Sequence, residues 1–256
     1  MTDFRSVAFL SSGSPEAEAA RARLTALYGH TAPEAADAVV ALGGDGLMLQ
    51  ALHRFMGTRK PIFGMNRGSV GFLMNDYSET GLLERLRDAE ASIVHPLTMR
   101  TTGADGTVGT AQAINEVSLL RQSYQAAKLR VLIDGRERLP ELIADGILVA
   151  TPVGSTAYNL SASGPIVPLN APLVALTPIS AFRPRRWRGA LLPDTARVRI
   201  EVLEATKRPV AATADHFEIK NVITIDIAMD HATGIPLLHD PGRSLDERIV
   251  GEQFGF

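Results

Sequence analysis

The sequence predicts an α/β domain followed by an all-β domain. Three observations carry this prediction. Apolar, strand-like runs alternate with helix-like segments over roughly the first ninety residues. Near residue 93 the apolar period switches from helical spacing to strict alternation. With 256 residues, 45% hydrophobic and 21% charged, the chain is long and apolar enough to bury a substantial core without staples.

The elements follow in order. Residues 6–10 (SVAFL) read as a strand. Residues 14–29 (SPEAEAARARLTALYG) read as a helix, with Ser14 as N-cap, Pro15 in the first turn and Gly29 at the end. Strand 38–42, a glycine turn, helix 47–56, strand 61–65 (PIFGM) and helix 79–90 (ETGLLERLRDAE) complete a β-α-β-α-β-α order. Such an order predicts a parallel sheet that binds ligands beyond the carboxyl ends of its strands. Farther on, Leu129, Val131 and Ile133 alternate with Lys128 and Arg130. Val198, Ile200 and Val202 alternate with Arg197, Arg199 and Glu201, and Ile223, Ile225 and Ile227 with Thr224, Asp226 and Ala228. These are half-buried strands. The division expected is 1–94 for the α/β domain, 95–235 for the β domain, and 236–256 as a tail packing back on the first domain.

Composition narrows the function classes. A net charge of −2 gives no global attraction to nucleic acid or to an anionic membrane. No run approaches the ~20 apolar residues of a membrane span, and the N-terminal apolar stretch is too short for a signal peptide. Without cysteine there is no disulfide or thiolate chemistry, which fits a reducing cytoplasm. The six histidines lack metal-ligand spacing, so no fixed metal site is expected.

The run VVALGGDGLMLQ (39–50) stops at Gly43, Gly44 and Gly46 wrapped around Asp45. Backbone freed of Cβ atoms can approach a phosphate, and the following helix points its N-terminus at the same place. Asp45, itself an anion, would not bind phosphate; it could accept a proton from an attacking hydroxyl or help hold a magnesium ion. Helix capping is the plainer alternative. GMNRGSVGFL (64–73) is a second glycine-rich strand exit, where Phe72 either lies against a ligand or belongs to the core. AINEVSLL (113–120) places Asn115 and Glu116 in an otherwise apolar strand, as a binding pair or as a strand end. In 142–165, Asp145-Gly146 interrupts an apolar run, and Thr151 to Ser163 is dense in Gly, Ser and Thr around Tyr158, which suits a sugar, its phosphates and a stacked base. FRPRRWRG (182–189) reads as a surface or subunit-contact loop, with donor phosphates or RNA as rival ligands.

Taken in order, G-G-D-G (43–46), N-x-G-x-x-G-F-L (66–73), N-E (115–116), D-G (145–146) and T-P-x-G-S-T-A-Y (151–158) resemble the NAD kinase family. The resemblance implies a Rossmann-like N-terminal domain, a C-terminal β-sandwich, and a dinucleotide in the cleft joining them. It implies phosphorylation of the 2′-hydroxyl of the adenosine ribose of NAD by ATP or another donor, with a divalent metal, usually Mg²⁺, in a cytoplasmic homodimer or homotetramer. It makes Asp45 the base and sets Gly43, Gly44 and Gly46 along the donor phosphates, with Gly46 also at the NAD. Phe72, Asn115, Glu116, Asp145, Val153, Thr156, Ala157, Tyr158 and Ser161 would contact NAD, and Ser180 would flank it from a neighbouring subunit. Asp215-His216 stands where many members carry Asp-Gly. A lipid or sugar kinase of the wider G-G-D-G group is the enzymatic rival, against which the polar 151–163 loop argues. A non-catalytic NAD sensor is the other, against which Asp45 argues.

Overall fold

The computed structural model describes residues 4–68 and 71–242. These form two compact units, one running to Val94 and resuming at Thr233, the other His95–Ala232. The division therefore falls at 232/233, slightly before the expected 235/236.

The first unit contains β1 (Val7–Ser11), α1 (Pro15–Tyr28), β2 (Ala38–Gly43), α2 (Asp45–Arg54), β3 (Ile62–Asn66), α3 (Leu82–Asp88) and β4 (Glu90–Val94). Ser14 caps α1, its hydroxyl accepting from the Ala17 N–H at 3.2 Å. Ala17, Ala20 and Leu24 form the buried stripe of that helix. All six residues of β2 are buried, as its unbroken apolar run requires of a strand covered on both faces. The sheet order is β1-β2-β3, then a strand from the end of the chain, Ile235–His239, then β4. The returning strand pairs parallel with β3 and antiparallel with β4. The helix expected over 79–90 is shorter than its periodicity suggested. Gly81, at φ 71°, limits it upstream, and Glu90 already pairs with His239 as a strand. The sequence beyond 242, most of the expected tail, lies outside the described residues.

The second unit holds twelve strands in two six-stranded antiparallel sheets. In chain order they are β5 (Leu97–Gly103), β6 (Val108–Ala113), β7 (Glu116–Arg121), β8 (Ala127–Ile133), β9 (Arg136–Ala144), β10 (Gly146–Ala150), β11 (Leu173–Ile179), β12 (Ala190–Pro193), β13 (Val198–Val202), β14 (Val210–Ala214), β15 (Phe217–Ile219) and β16 (Val222–Met229); the strand from the chain end is β17. One sheet runs β12-β11-β10-β7-β14-β15, the other β6-β5-β16-β13-β8-β9. Both contribute to a single apolar core, with Val117, Ile147 and Leu176 from the first, and Leu129, Ile200 and Ile225 from the second. This is a β-sandwich.

The strand expected across 113–120 is two strands. β6 lies in one sheet and β7 in the other, so Ile114 and Asn115 form the corner where the chain changes sheets. Asp145 marks a second such corner, between β9 and β10. A Cβ on Gly146 would fall 2.0 Å from the Leu119 carbonyl oxygen, so only glycine fits there. Among the described residues no helix is long and apolar enough to cross a membrane.

Candidate active site

In the first unit the glycine turn joins β2 to α2. Gly44 is the N-cap, in extended conformation, and no side chain caps the helix. Asp45 is thus the first helical residue rather than the cap, and its carboxylate does other work. Oδ2 accepts from the Phe72 N–H at 2.8 Å and Oδ1 from the Leu73 N–H at 2.9 Å. Each oxygen keeps a further acceptor site. Phe72 is half-buried rather than a core residue.

The second glycine turn packs on the first. The Arg67 N–H donates to the Gly43 carbonyl at 2.8 Å, and a Cβ on Gly68 would lie 3.8 Å from the Gly44 backbone. A Cβ on Gly71 would meet Met74 Cγ at 2.6 Å and Asp45 Oδ1 at 3.3 Å. Gly46 is exposed, with open space where its side chain would be, so a ligand could come against its backbone. Asn75, which the sequence reading missed, is 1% exposed and locks this segment: its amide donates to the Gly64 and Leu238 carbonyls and its oxygen accepts from the Asp240 N–H. An asparagine inside FLMNDY offered no local sign of this, because one of its partners is 163 residues away.

In the second unit the Asn115–Glu116 corner is held by Asp215. The Asp215 carboxylate accepts from the Ile114, Asn115 and Glu116 N–H groups at 2.6, 3.0 and 3.2 Å. Asp215 sits at φ 50°, in the turn between β14 and β15. From the other side the Asn115 carbonyl accepts from the Thr151 N–H at 2.9 Å, and Gly154 abuts it so closely that a Cβ would fall 2.1 Å from that oxygen. Glu116 is pushed up to about 7, first by burial and then by the Asp215 charge, against the hydrogen bond it accepts from the Tyr158 backbone. Its Oε2 is buried without a hydrogen-bond partner. An acid in that state can take a ligand N–H or hydroxyl proton donor, or donate when protonated.

The 151–165 segment is welded by its own side chains. Thr151 donates to the Ile114 carbonyl, Ser155 to that of Pro152, and buried Asn159 joins Ser155, Pro165 and Thr177. The hydroxyls of Thr151 and Ser155 are thereby used for folding, which corrects the idea that the whole segment offers hydroxyls to a sugar. Val153 is likewise buried, at 6% exposure. Thr156, Ala157 and Tyr158 stay half-buried and Ser161 exposed. Burial, then the charges of Glu116 and Asp145, push the Tyr158 phenol up. Asp145 itself is engaged by Arg121, Nε to Oδ1 at 2.5 Å. It lies at the opposite end of the β7–β10 pair from Glu116, whose register partner is Ala150.

Tyr158, Ser161 and Ser180 line one cavity of about 360 Å³, with Ser163, Arg185, Trp187 and Arg188. The arginine-rich loop is therefore at the surface, as expected, but it also walls a cavity that the sequence reading did not attribute to it. Tyr158 and Ser161 come together here with Ser180 of the same chain, where the family resemblance implies Ser180 of a neighbouring subunit, while Asn115 and Glu116 belong to the neighbouring corner.

A carboxylate on a glycine turn beyond parallel strands, with a β-sandwich carrying a ring, hydroxyls and a high-pKa acid, fits the class of phosphotransferases acting on an alcohol group. Comparison with known proteins narrows the class. The ATP-NAD kinase N-terminal domain matches residues 3–85 and the ATP-NAD kinase C-terminal domain residues 114–224. The NAD kinase of Caulobacter vibrioides is 59% identical over 248 residues, 97% of this chain and 95% of the relative. That of Rhizobium meliloti is 59% identical over 251 residues, 98% of each. The fold matches yeast NADH kinase complexed with NADH, with a TM-score of 0.85 at 24% identity, covering 100% of this chain and 89% of the other. It also matches an NAD kinase from Archaeoglobus fulgidus in complex with ATP, with a TM-score of 0.76 at 22% identity, covering 96% of this chain and 97% of the other. The chain belongs to the NAD kinase family, and its reaction is the phosphorylation of NAD to NADP.

Proposed function

We propose that the phosphoryl group passes from ATP to the 2′-hydroxyl of the adenosine ribose of NAD, with Asp45 as the base. The observation that supports this reading most is the way Asp45 is held. Two N–H groups fix its carboxylate, while an acceptor site on each oxygen stays available to a hydroxyl proton. Gly44 and Gly46 give the donor phosphates backbone to approach, Gly43, buried at the end of β2, lets the turn start, and the N-terminus of α2 favours the phosphates' charge. Phe72 packs beside NAD. Asn115, Glu116 and Asp145 bond the dinucleotide, and Val153 backs the wall formed by Thr156, Ala157, Tyr158 and Ser161. Ser180 borders the same ligand. The α/β unit is Rossmann-like in this sense: its nucleotide site is built at a strand-to-helix turn.

The described residues contain no group of three or more acids, histidines or cysteines able to hold a metal. In this reading a divalent cation, Mg²⁺, arrives on the donor phosphates. Asp45, at the glycine turn, would help to hold it. When bound, such an ion neutralises charge on the phosphoryl group. We place the enzyme in the cytoplasm as a homodimer or homotetramer.

The test is direct. The protein is incubated with NAD, ATP and Mg²⁺, and the product is offered to a strictly NADP-dependent dehydrogenase; reduction is expected. With 2′-deoxyadenosine NAD as acceptor no phosphorylation is expected, and turnover of that analogue would refute the 2′-hydroxyl assignment.

A further inference from the structure

We infer that Arg185 and Arg188 form a phosphate clamp for the dinucleotide, in the cavity lined by Tyr158, Ser161, Ser180 and Trp187. The inference rests on the proposed function and adds residues that neither the family motifs nor the glycine turns supply.

Every member of the Arg183, Arg185, Arg186 and Arg188 cluster is without a carboxylate partner among the described residues. Four of the eight other arginines of the second unit are neutralised: Arg121 by Asp145, Arg130 by Glu201, Arg199 by Asp226, Arg208 by Glu204. Two of the four unpaired guanidiniums, Arg185 and Arg188, line the cavity. The acids whose charges reach its Tyr158 ring are Glu116 and Asp145. Asp145 is matched by Arg121, and Glu116 is close to half-neutral at pH 7. The cavity thus holds a surplus of positive charge beside two aromatic rings and three serine hydroxyls.

The loop carrying the arginines is set in place before any ligand binds. Ile143 N–H donates to the Arg183 carbonyl at 2.8 Å, and Phe182 N–H to the Ile143 carbonyl at 2.8 Å. At its other end Gly189, φ 106°, passes so near Leu176 that a Cβ would lie 2.1 Å from that carbonyl oxygen. The Phe182 ring lies 5.6 Å from the Arg185 guanidinium and supports it from behind. Trp187 packs on the sandwich core. A pair of always-charged planar forks on an anchored loop is the donor set that recognises phosphate oxygens. About 360 Å³ accommodates one nucleotide half with its phosphate. In NAD the anion available is the bridging pyrophosphate; in NADP the ribose phosphate is added.

Trp187 is the chain's single tryptophan and lines this cavity, so its emission reports on the arginine loop. Saturating NAD should shift that emission in the parent protein; an unchanged signal would place the ligand elsewhere and overturn the clamp. Affinities for NAD, NADP and adenosine are then measured by calorimetry on the parent and on the double variant Arg185→Gln, Arg188→Gln. A weakening of about tenfold per arginine is expected for the phosphate-bearing ligands, with adenosine unaffected. Equal losses for NAD and NADP assign the pyrophosphate, and a loss confined to NADP assigns the ribose phosphate. Undiminished affinity for both, or an equal loss for adenosine, refutes the proposal. The Arg185→Lys, Arg188→Lys variant should recover part of the loss, which a merely structural role for the loop would not produce. Formation of NADP by the parent protein is scored separately, so failure of the clamp and failure of the proposed reaction are told apart.

Discussion

Asp45 in the first unit and Asp215 in the second each hold a stretch of backbone by its N–H groups. Asp45 takes those of Phe72 and Leu73; Asp215 takes those of Ile114, Asn115 and Glu116. The difference lies in what remains. Two donors leave each Asp45 oxygen room for a substrate proton, and the side chain stands at a helix start among glycines. Three donors engage Asp215, which works as a clamp and whose charge helps to raise its neighbour Glu116. The same bonding pattern leaves acceptor sites open in one unit, where we propose the base, and makes a structural tie in the other.

Substitutions sharpen that contrast. The largest effect expected is on turnover: Asp45→Asn should lower kcat by about 10²–10⁴-fold. Its amide NH₂ must face either the Phe72 or the Leu73 N–H, so about 1 kcal/mol of stability should go as well, read from denaturant midpoints. Parental turnover by that variant would remove Asp45 as the base.

Next comes Asp215→Asn, which sets an NH₂ against at least one of three backbone donors and should cost about 2 kcal/mol, visible as a lower melting temperature. Because the Asp215 charge helps raise Glu116, the same variant should bring the Glu116 carboxyl down from about 7, followed by NMR titration. An unmoved titration would break the link between the two acids.

Glu116 itself yields a pH prediction. Its folded value of about 7 lies above the ordinary 4.5, so folding favours its protonated form. That contribution, about 3 kcal/mol at most, is full below pH 4.5 and is lost as pH rises through about 7. Glu116→Gln should flatten the stability profile over that window relative to the parent. A profile that keeps its slope would mean that the corner is wetter than its burial indicates.

The smallest effect belongs to a site remote from both aspartates. Ser14→Ala removes the hydroxyl that accepts from the Ala17 N–H and should cost about 1 kcal/mol with no change in turnover. A change in kcat would show that α1 communicates with the glycine turn.

Local pattern made much of this protein legible. An unbroken apolar run predicted the doubly covered β2, and Ser14-Pro15 and Gly29 bounded α1 because capping is decided within a few residues. Period-2 alternation located strands such as β8, whose residues alternate buried and half-buried. Asn115-Glu116 and Asp145-Gly146 stood out as polar interruptions, but their common cause was hidden: both are corners where the chain passes from one sheet to the other. The helix predicted over 79–90 ends early because the strand that claims Glu90 arrives from residue 239.

The sequence by itself determined the order of elements, the two kinds of core and the ordered motifs of the family, since each depends on periodicity or on short spacings. Only the tertiary structure decided which polar groups were free. Thr151, Ser155 and Asn159 turned inward, Asp215 became a clamp, and Arg185 and Arg188 were left uncompensated beside Tyr158. The physical reason is that a hydrogen bond or an ion pair is settled by partners that can lie 100 residues away, as between Asp215 and Asn115, and no local spacing records them.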